Sequence, residues 1–257
     1  MSNISISVPE DYVDNMEQSG ENFVSVTFRD IDHSIPYDYD YYDFKNINFI
    51  VKEIHIDLDY TVGDISKAST LGDIWKVLKK TREWPSYSVM KWFFEGGAIR
   101  PYFKEFLQYL KIKKDKTGIK IMIHTSNNDK EGYVSWIKYM LEQYADVPEG
   151  TIDGVIDATT AISYSRCGAT IKHIDHNVLI FDDKPWNVRP FNQAIGVVPY
   201  YQHVDNAPFF KFFDKKLHNT LAQVLNDDEE RYGTAGDDYK NDQVFHYILE
   251  KLDKTLN

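Results

Sequence analysis

Three short apolar runs in this chain each end in oxygen-bearing side chains: VKEIHID at residues 51–57, IKIMIHT at 119–125 and VLIFDD at 178–183. A continuous apolar run of this length reads as a strand buried on both faces, the kind found in parallel sheets. Asn48–Ile56, Ile119–His124 and Val178–Phe181 are read as three such strands, and Ile195–Tyr200 as a fourth. Helical spacing fills the intervals. Pro101 opens a segment with Phe103, Phe106, Leu107 and Leu110 on one face, and proline suits a first helical turn. Tyr133, Trp136, Ile137, Met140, Leu141 and Tyr144 keep the same period. Residues 70–95 read as helical but broken at Pro85, Phe210 to Leu225 as one long helix, and Phe245, Ile248, Leu249 and Leu252 as a last amphipathic helix. Strands alternating with helices imply an α/β fold with a central parallel sheet.

Composition narrows the setting. With 42% hydrophobic and 15% aromatic residues in 257, the chain has the makings of a sizeable core. A formal net charge of −11 argues against broad nucleic-acid binding, which needs a basic surface. No run of about 18 apolar residues exists, so no membrane span is expected. The start, MSNISISVPEDYVDN, lacks the basic and apolar parts of a secretory signal. The single cysteine, Cys167, can form no intramolecular disulfide, and a reducing, intracellular compartment is expected, cytoplasmic or nuclear, with a virion or viral factory as another setting. Residues 1–46 read as an acidic extension holding PYDYDYYDF and a short alternating strand, FVSVTF, at 23–28. That arm is either a strap on the domain or a segment that contacts a protein partner. The division expected is 1–46, a domain over 47–225 with an insert near 66–95, and an acidic loop with a helix over 226–257.

Ligands of open parallel sheets sit beyond the carboxyl ends of the strands. There this chain places Asp57, Asp59 and Thr61 after the first strand, Thr125-Ser126-Asn127-Asn128 after the second, and Asp182-Asp183-Lys184 after the third. Gathered carboxylates repel one another, and a divalent cation relieves the repulsion. An all-oxygen donor set suits Mg²⁺, which takes phosphate as a co-ligand. No His or Cys cluster of zinc spacing lies nearby. An EF-hand loop starting at Asp57 fails, because its sixth position is Val62 and its twelfth Ala68. Asp57 and Asp59 could instead cap a turn, but that reading leaves the second acidic pair, Asp182-Asp183, unexplained.

These residues resemble the ordered motifs of the haloacid dehalogenase (HAD) superfamily of aspartate-nucleophile phosphotransferases. HIDLDYTV resembles the first, IMIHTS the second, the lysine of RCGATIKHID the third and VLIFDD the fourth, over roughly residues 48–200. Within that superfamily the chain is most similar to the FCP/SCP (NLI-interacting-factor-like) phosphatases, which act on phosphoserine in the RNA polymerase II tail. IRPYFKEFLQYL, IMIHTSNNDKEGYVSWIKYML and FDDKPWNV carry that narrower likeness. Two departures stand out. Tyr60-Thr61-Val62 replaces Glu-Thr-Leu, and a helical insert replaces the family's β-hairpin after the first motif.

The resemblance implies a HAD-like Rossmannoid three-layer fold and a Mg²⁺-dependent phosphatase. Asp57 would be the nucleophile and Asp59 the general acid and base. Thr125, Ser126 and Lys172 would bind the phosphoryl group, with Lys184 as the other candidate for the lysine. Asp57, the carbonyl of Asp59 and Asp183 would hold the metal, supported by Thr61 and Asp182. The amides after Thr125 are expected to open a helix whose dipole favours phosphate. Thr125 can also be read as a plain helix cap, Lys172 as a surface lysine and Arg166 as either a substrate contact or half of an ion pair. Arg100, Cys167 and His124 are read as structural. Trp186 either walls the site or packs. The substrate would be a phosphoprotein, with a nucleotide or other small phosphomonoester as the alternative within enzymes. A scaffold that keeps the fold for binding is the alternative from another class.

Overall fold

In the computed structural model the described residues are 44, 47–160, 162–164, 170–202, 204–223, 225 and 242–256. The FVSVTF strand, Arg166, Cys167 and the acidic loop up to residue 241 lie outside them, as does nearly all of the tyrosine-rich arm. The elements run β1 Glu53–Ile56, α1 Lys67–Lys79, α2 Tyr87–Phe93, α3 Phe103–Thr117, β2 Lys120–His124, α4 Tyr133–Ala145 and β3 Gly154–Ile156. Then come β4 Ile162–Tyr164, β5 Thr170–His173, β6 Val178–Asp182, β7 Val188–Arg189, β8 Ala194–Gly196, α5 Ala207–Phe210 and α6 Val244–Thr255. No described helix is long and apolar enough to cross a membrane.

The central sheet has the order β3-β2-β1-β6-β8, and every pairing in it is parallel. This is the α/β architecture expected from the alternating pattern. Register puts Ile54 beside Ile121 and Leu179, and Ile56 beside Ile123 and Phe181, so these six side chains share one face, all fully buried. The apolar stripes of α3, α4 and α6 cover that face. Phe106 of α3 meets Phe181 edge-on at 5.6 Å and Phe245 of α6 at 4.7 Å. A second sheet, β4-β5-β7, pairs β5 antiparallel to β4 and parallel to β7.

The other face of the central sheet carries a buried histidine pair. His55 Nδ1 and His124 Nδ1 are 3.1 Å apart, and His55 Nε2 lies 3.3 Å from Glu53. Burial pushes the pKa of both imidazoles down, that of His124 to about 3. A neutral pair can share one N–H between facing nitrogens, so His124 is a packed core histidine, as its position in the strand suggests.

Several sequence boundaries are corrected. The first ladder begins at Glu53, not Asn48, because Lys52 and Glu53 both donate to the Asn177 carbonyl in a turn. The last central strand stops at Gly196, since Tyr200 N donates instead to Tyr60 O at 2.9 Å. The long helix expected over 210–225 is broken: Asp214 is extended and caps a new start by accepting from Lys216 N at 2.9 Å. The insert is two helices. Lys80, left-handed at φ 52°, ends α1, and Trp84 in the connection stacks on Trp136 at 4.9 Å. Lys76 Nζ lies 3.1 Å from the Trp84 ring centre, so a cation–π contact adds to the stack that lays the insert on α4.

Candidate active site

Strand order reverses at β1: β2 and β3 lie to one side of it, β6 and β8 to the other. Crevices form beyond the carboxyl ends of the strands at such a reversal, and here a cleft of about 240 Å³ opens beside Asp57, Asp59, Thr125, Lys172, Asp182 and Asp183. Tyr60, Ser126, Lys184 and Asn187 complete its wall.

The loop after β1 is held from several sides. Asp57 N continues the ladder to Phe181 O at 3.0 Å. Tyr60 takes a left-handed φ of 64°, and its carbonyl accepts from Tyr200 N at 2.9 Å and Arg100 Nη2 at 3.1 Å. Arg100, fully buried, also donates to Val198 O at 2.5 Å, which bears out a structural role for it. Gly63 packs so closely that a Cβ there would stand 2.0 Å from Ala98 O. Thr61, wholly buried, donates to Asp57 Oδ2 at 3.2 Å and accepts from Asp183 N at 2.9 Å. One hydroxyl thereby ties the first strand's end to the third's.

Of the two candidate lysines, Lys172 reaches the centre. It is 3% exposed, and its Nζ lies 2.5 Å from Asp57 Oδ1 and 2.6 Å from Asp182 Oδ2. Burial disfavours its charge, but Asp57 and Asp182 outweigh that and hold its pKa above the usual lysine range. Lys184 sits exposed on the rim, its Nζ 4.0 Å from Asp183 Oδ2. β5, which delivers Lys172, is too polar a segment (TIKH) to stand out as a strand by periodicity.

Burial raises the pKa of Asp57 well above the usual carboxylate range, Lys172 opposes the rise, and Asp182 and Asp183 add to it. Asp183 is pushed up to about 6, by burial first and by Asp182 second. Asp59 is partly buried; burial raises its pKa too, against the hydrogen bond from Asn127 Nδ2 to its Oδ2 at 2.5 Å. A carboxyl whose proton is held more firmly than usual suits proton donation near neutral pH.

The second strand's end departs from expectation. Helix α4 begins at Tyr133 and not directly after Thr125, so no helix N-terminus opens there. Thr125 Oγ1 instead accepts from Asn127 N at 3.1 Å, a local turn that leaves Ser126 exposed on the cleft wall. Sequence reasoning gave Thr125 and Ser126 a role; it set Asn127 and Tyr60 at the same strand ends without one and did not single out Asn187. The TSNN run after an apolar strand was the available signal for Asn127.

The donor set fits a hard divalent cation. One carboxylate oxygen from each of Asp57, Asp182 and Asp183 lies within 4.8 Å of the others. Asp183 Oδ2 is buried with no hydrogen-bond partner. Four carboxyl side chains line the cleft against two lysines, Lys172 and Lys184, an acidic excess that suits a cation. Thus Asp182 stands within the carboxylate cluster, while the Asp59 side chain is taken by Asn127.

No family model matches the chain, and no curated protein matches it. Among solved structures it is similar to Fcp1, an essential RNA polymerase II CTD phosphatase, at 16% identity over 79% of this chain, with a TM-score of 0.41. The chain spans 62% of the length of that Fcp1 chain. A protein assigned as a beta-phosphoglucomutase from Thermotoga maritima matches at 14% identity over 68% of this chain and 100% of its own, with a TM-score of 0.30. Both likenesses are remote, and the chemistry of the cleft is read from its own residues.

Proposed function

We propose that this protein is a Mg²⁺-dependent phosphomonoester hydrolase that works through an aspartyl-phosphate on Asp57. The observation that carries the reading is the setting of Asp57. It is a buried carboxylate with one oxygen on Lys172 and the other on Thr61, at a cleft that also holds Asp59. Asp57 attacks phosphorus as the bond to the leaving oxygen breaks, and Asp59 supplies that oxygen with a proton. In the second half Asp59 takes a proton from the attacking water, and Asp57 leaves as a carboxylate. Lys172 Nζ, Thr125 and Ser126 orient the phosphoryl oxygens. Asp57 and Asp183, with Asp182 beside them, would hold the cation, which when bound supplies charge neutralisation for the transferring group.

For the substrate class we favour phosphoserine or phosphothreonine in a protein. Support comes from the sequence resemblance and from the insert: among the described residues, none of 66–95 lines the cleft. The test is hydrolysis of p-nitrophenyl phosphate with Mg²⁺ and with EDTA, followed by a phosphopeptide panel. Chelation should abolish turnover, and Asp57→Asn should lower kcat by at least about a thousandfold, the scale seen when a nucleophile is removed. Turnover that survives Asp57→Asn would refute the mechanism. Partner binding unchanged by that substitution, with an inert wild type, would favour the scaffold reading.

A further inference from the structure

Asn127 has no part in the steps above, yet its side chain is bonded to the carboxylate that moves the proton. Its Nδ2 donates to Asp59 Oδ2 at 2.5 Å. Its backbone is fixed at both ends, N–H to Thr125 Oγ1 at 3.1 Å and C=O from Ala158 N at 3.0 Å. An amide NH₂ can only donate. Asp59 Oδ2 must therefore accept, whether or not the carboxyl is protonated, because a proton placed there would face the amide hydrogens. That leaves Oδ1 to carry the proton. The amide is also neutral, so it fixes rotation about the Cβ–Cγ bond without the full charge of an ammonium, which would hold Asp59 as an anion.

We propose that Asn127 is a positioning residue for proton transfer, holding Asp59 through Oδ2 so that Oδ1 delivers the proton to the leaving oxygen. The role rests on the phosphotransfer reading. In the step concerned, a bond forms between an Asp57 oxygen and phosphorus. The bond from phosphorus to the leaving oxygen breaks with its electron pair on that oxygen, and the proton passes there from Asp59 Oδ1. An alcohol leaving group needs that proton. A dinitrophenolate leaves without it.

The test follows from this difference. Single-turnover rates of the first step are measured for wild type, Asn127→Ala and Asn127→Asp, with a phosphoserine peptide and with 2,4-dinitrophenyl phosphate. Asn127→Ala should slow the peptide on the order of 10- to 100-fold, the scale for a displaced catalytic group, and leave the dinitrophenyl ester within about twofold. Asn127→Asp, nearly the same shape, removes the donor and sets a like charge against Oδ2, so it should show the same split or a larger one. Peptide KM should hold within about twofold, since Asn127 acts through Asp59 and not on the ground-state substrate. Equal slowing of both substrates would make Asn127 a merely structural loop residue and overturn the proposal. So would no slowing of either. A wild type inert to both substrates would remove the phosphotransfer reading itself, an outcome distinct from an active wild type indifferent to Asn127.

Discussion

Asp183 shows at the scale of one residue how the cleft is held at a cost to the fold. Its Oδ2 is buried without a hydrogen-bond partner, and burial with the neighbouring Asp182 raises its pKa to about 6. A carboxyl raised above its ordinary value contributes stability below about pH 4 and loses it as pH rises through about 6. At neutral pH with no cation bound, the ionised Asp183 therefore works against the fold. Lys172 has no such conflict, because two carboxylates satisfy it. In EDTA Asp183→Asn should therefore raise the Tm, and by more at pH 7.5 than at pH 5.5, where part of the wild type still holds the proton. Mg²⁺ should stabilise wild type more at pH 7.5 than at pH 5.5, where protons compete for the site, and should lose most of that effect in Asp183→Asn. Thermal melts across the two pH values with EDTA and with Mg²⁺ check this, and equal melting temperatures with and without Mg²⁺ at both would exclude the site.

At the scale of elements, the loop from Asp57 to Gly63 owes its shape to what surrounds it more than to its own sequence. Gly63 bridges Ile99 and lies against the Ala98 carbonyl, a backbone atom that cannot swing aside. Gly63→Ala should cost about 1–3 kcal/mol by overpacking and shift the loop that carries Asp59 and Thr61, with kcat falling alongside stability. Urea unfolding and turnover measured together check it, and a variant with unchanged stability and activity would contradict the packing argument. The same contrast explains what the sequence could disclose. The strand ends were legible because an apolar run such as VLIF needs burial, and burial fixes where the carboxylates that follow it fall. β3, β4, β5 and β7 were not, since each spans two to four residues and β5 has a single apolar residue, Ile171. Their pairing comes from tertiary contact, and so does the place of Lys172. The start of α4 was misread because TSNND looks like a helix cap. Asn127 is committed to Asp59 and Ala158, and Asp129 is the residue that accepts from Ser135 N at 3.0 Å and Ser135 Oγ at 2.6 Å in the first turn of α4.

At the scale of the whole molecule, the cleft depends on a helix that touches none of it. Phe245 of α6 is fully buried, with its ring 5.2 Å from Phe103 and 4.7 Å from Phe106, and Phe106 in turn meets Phe181 one residue before Asp182. Just ahead of α6, Asp242 lies 3.6 Å from Arg100 Nε, and Arg100 holds the Tyr60 carbonyl between Asp59 and Thr61. The C-terminal helix is thus part of the core beneath the cleft, packed on the apolar side of the sheet while the cleft carboxyls stand beyond the strand ends. Phe245→Ala removes a ring from a close-packed cluster, and such truncations cost about 3–5 kcal/mol. No contact to the cleft residues is lost. The expectation is a large drop in the urea midpoint with the unfolding slope unchanged, and, well below the melting temperature, a kcat and KM within about twofold of wild type. A fall in kcat larger than the fraction unfolded can explain would mean that α6 sets the geometry of the cleft as well as the stability of the sheet. Asp242→Asn, which keeps the core intact and weakens the hold on Arg100, would then show the same loss with little change in the midpoint.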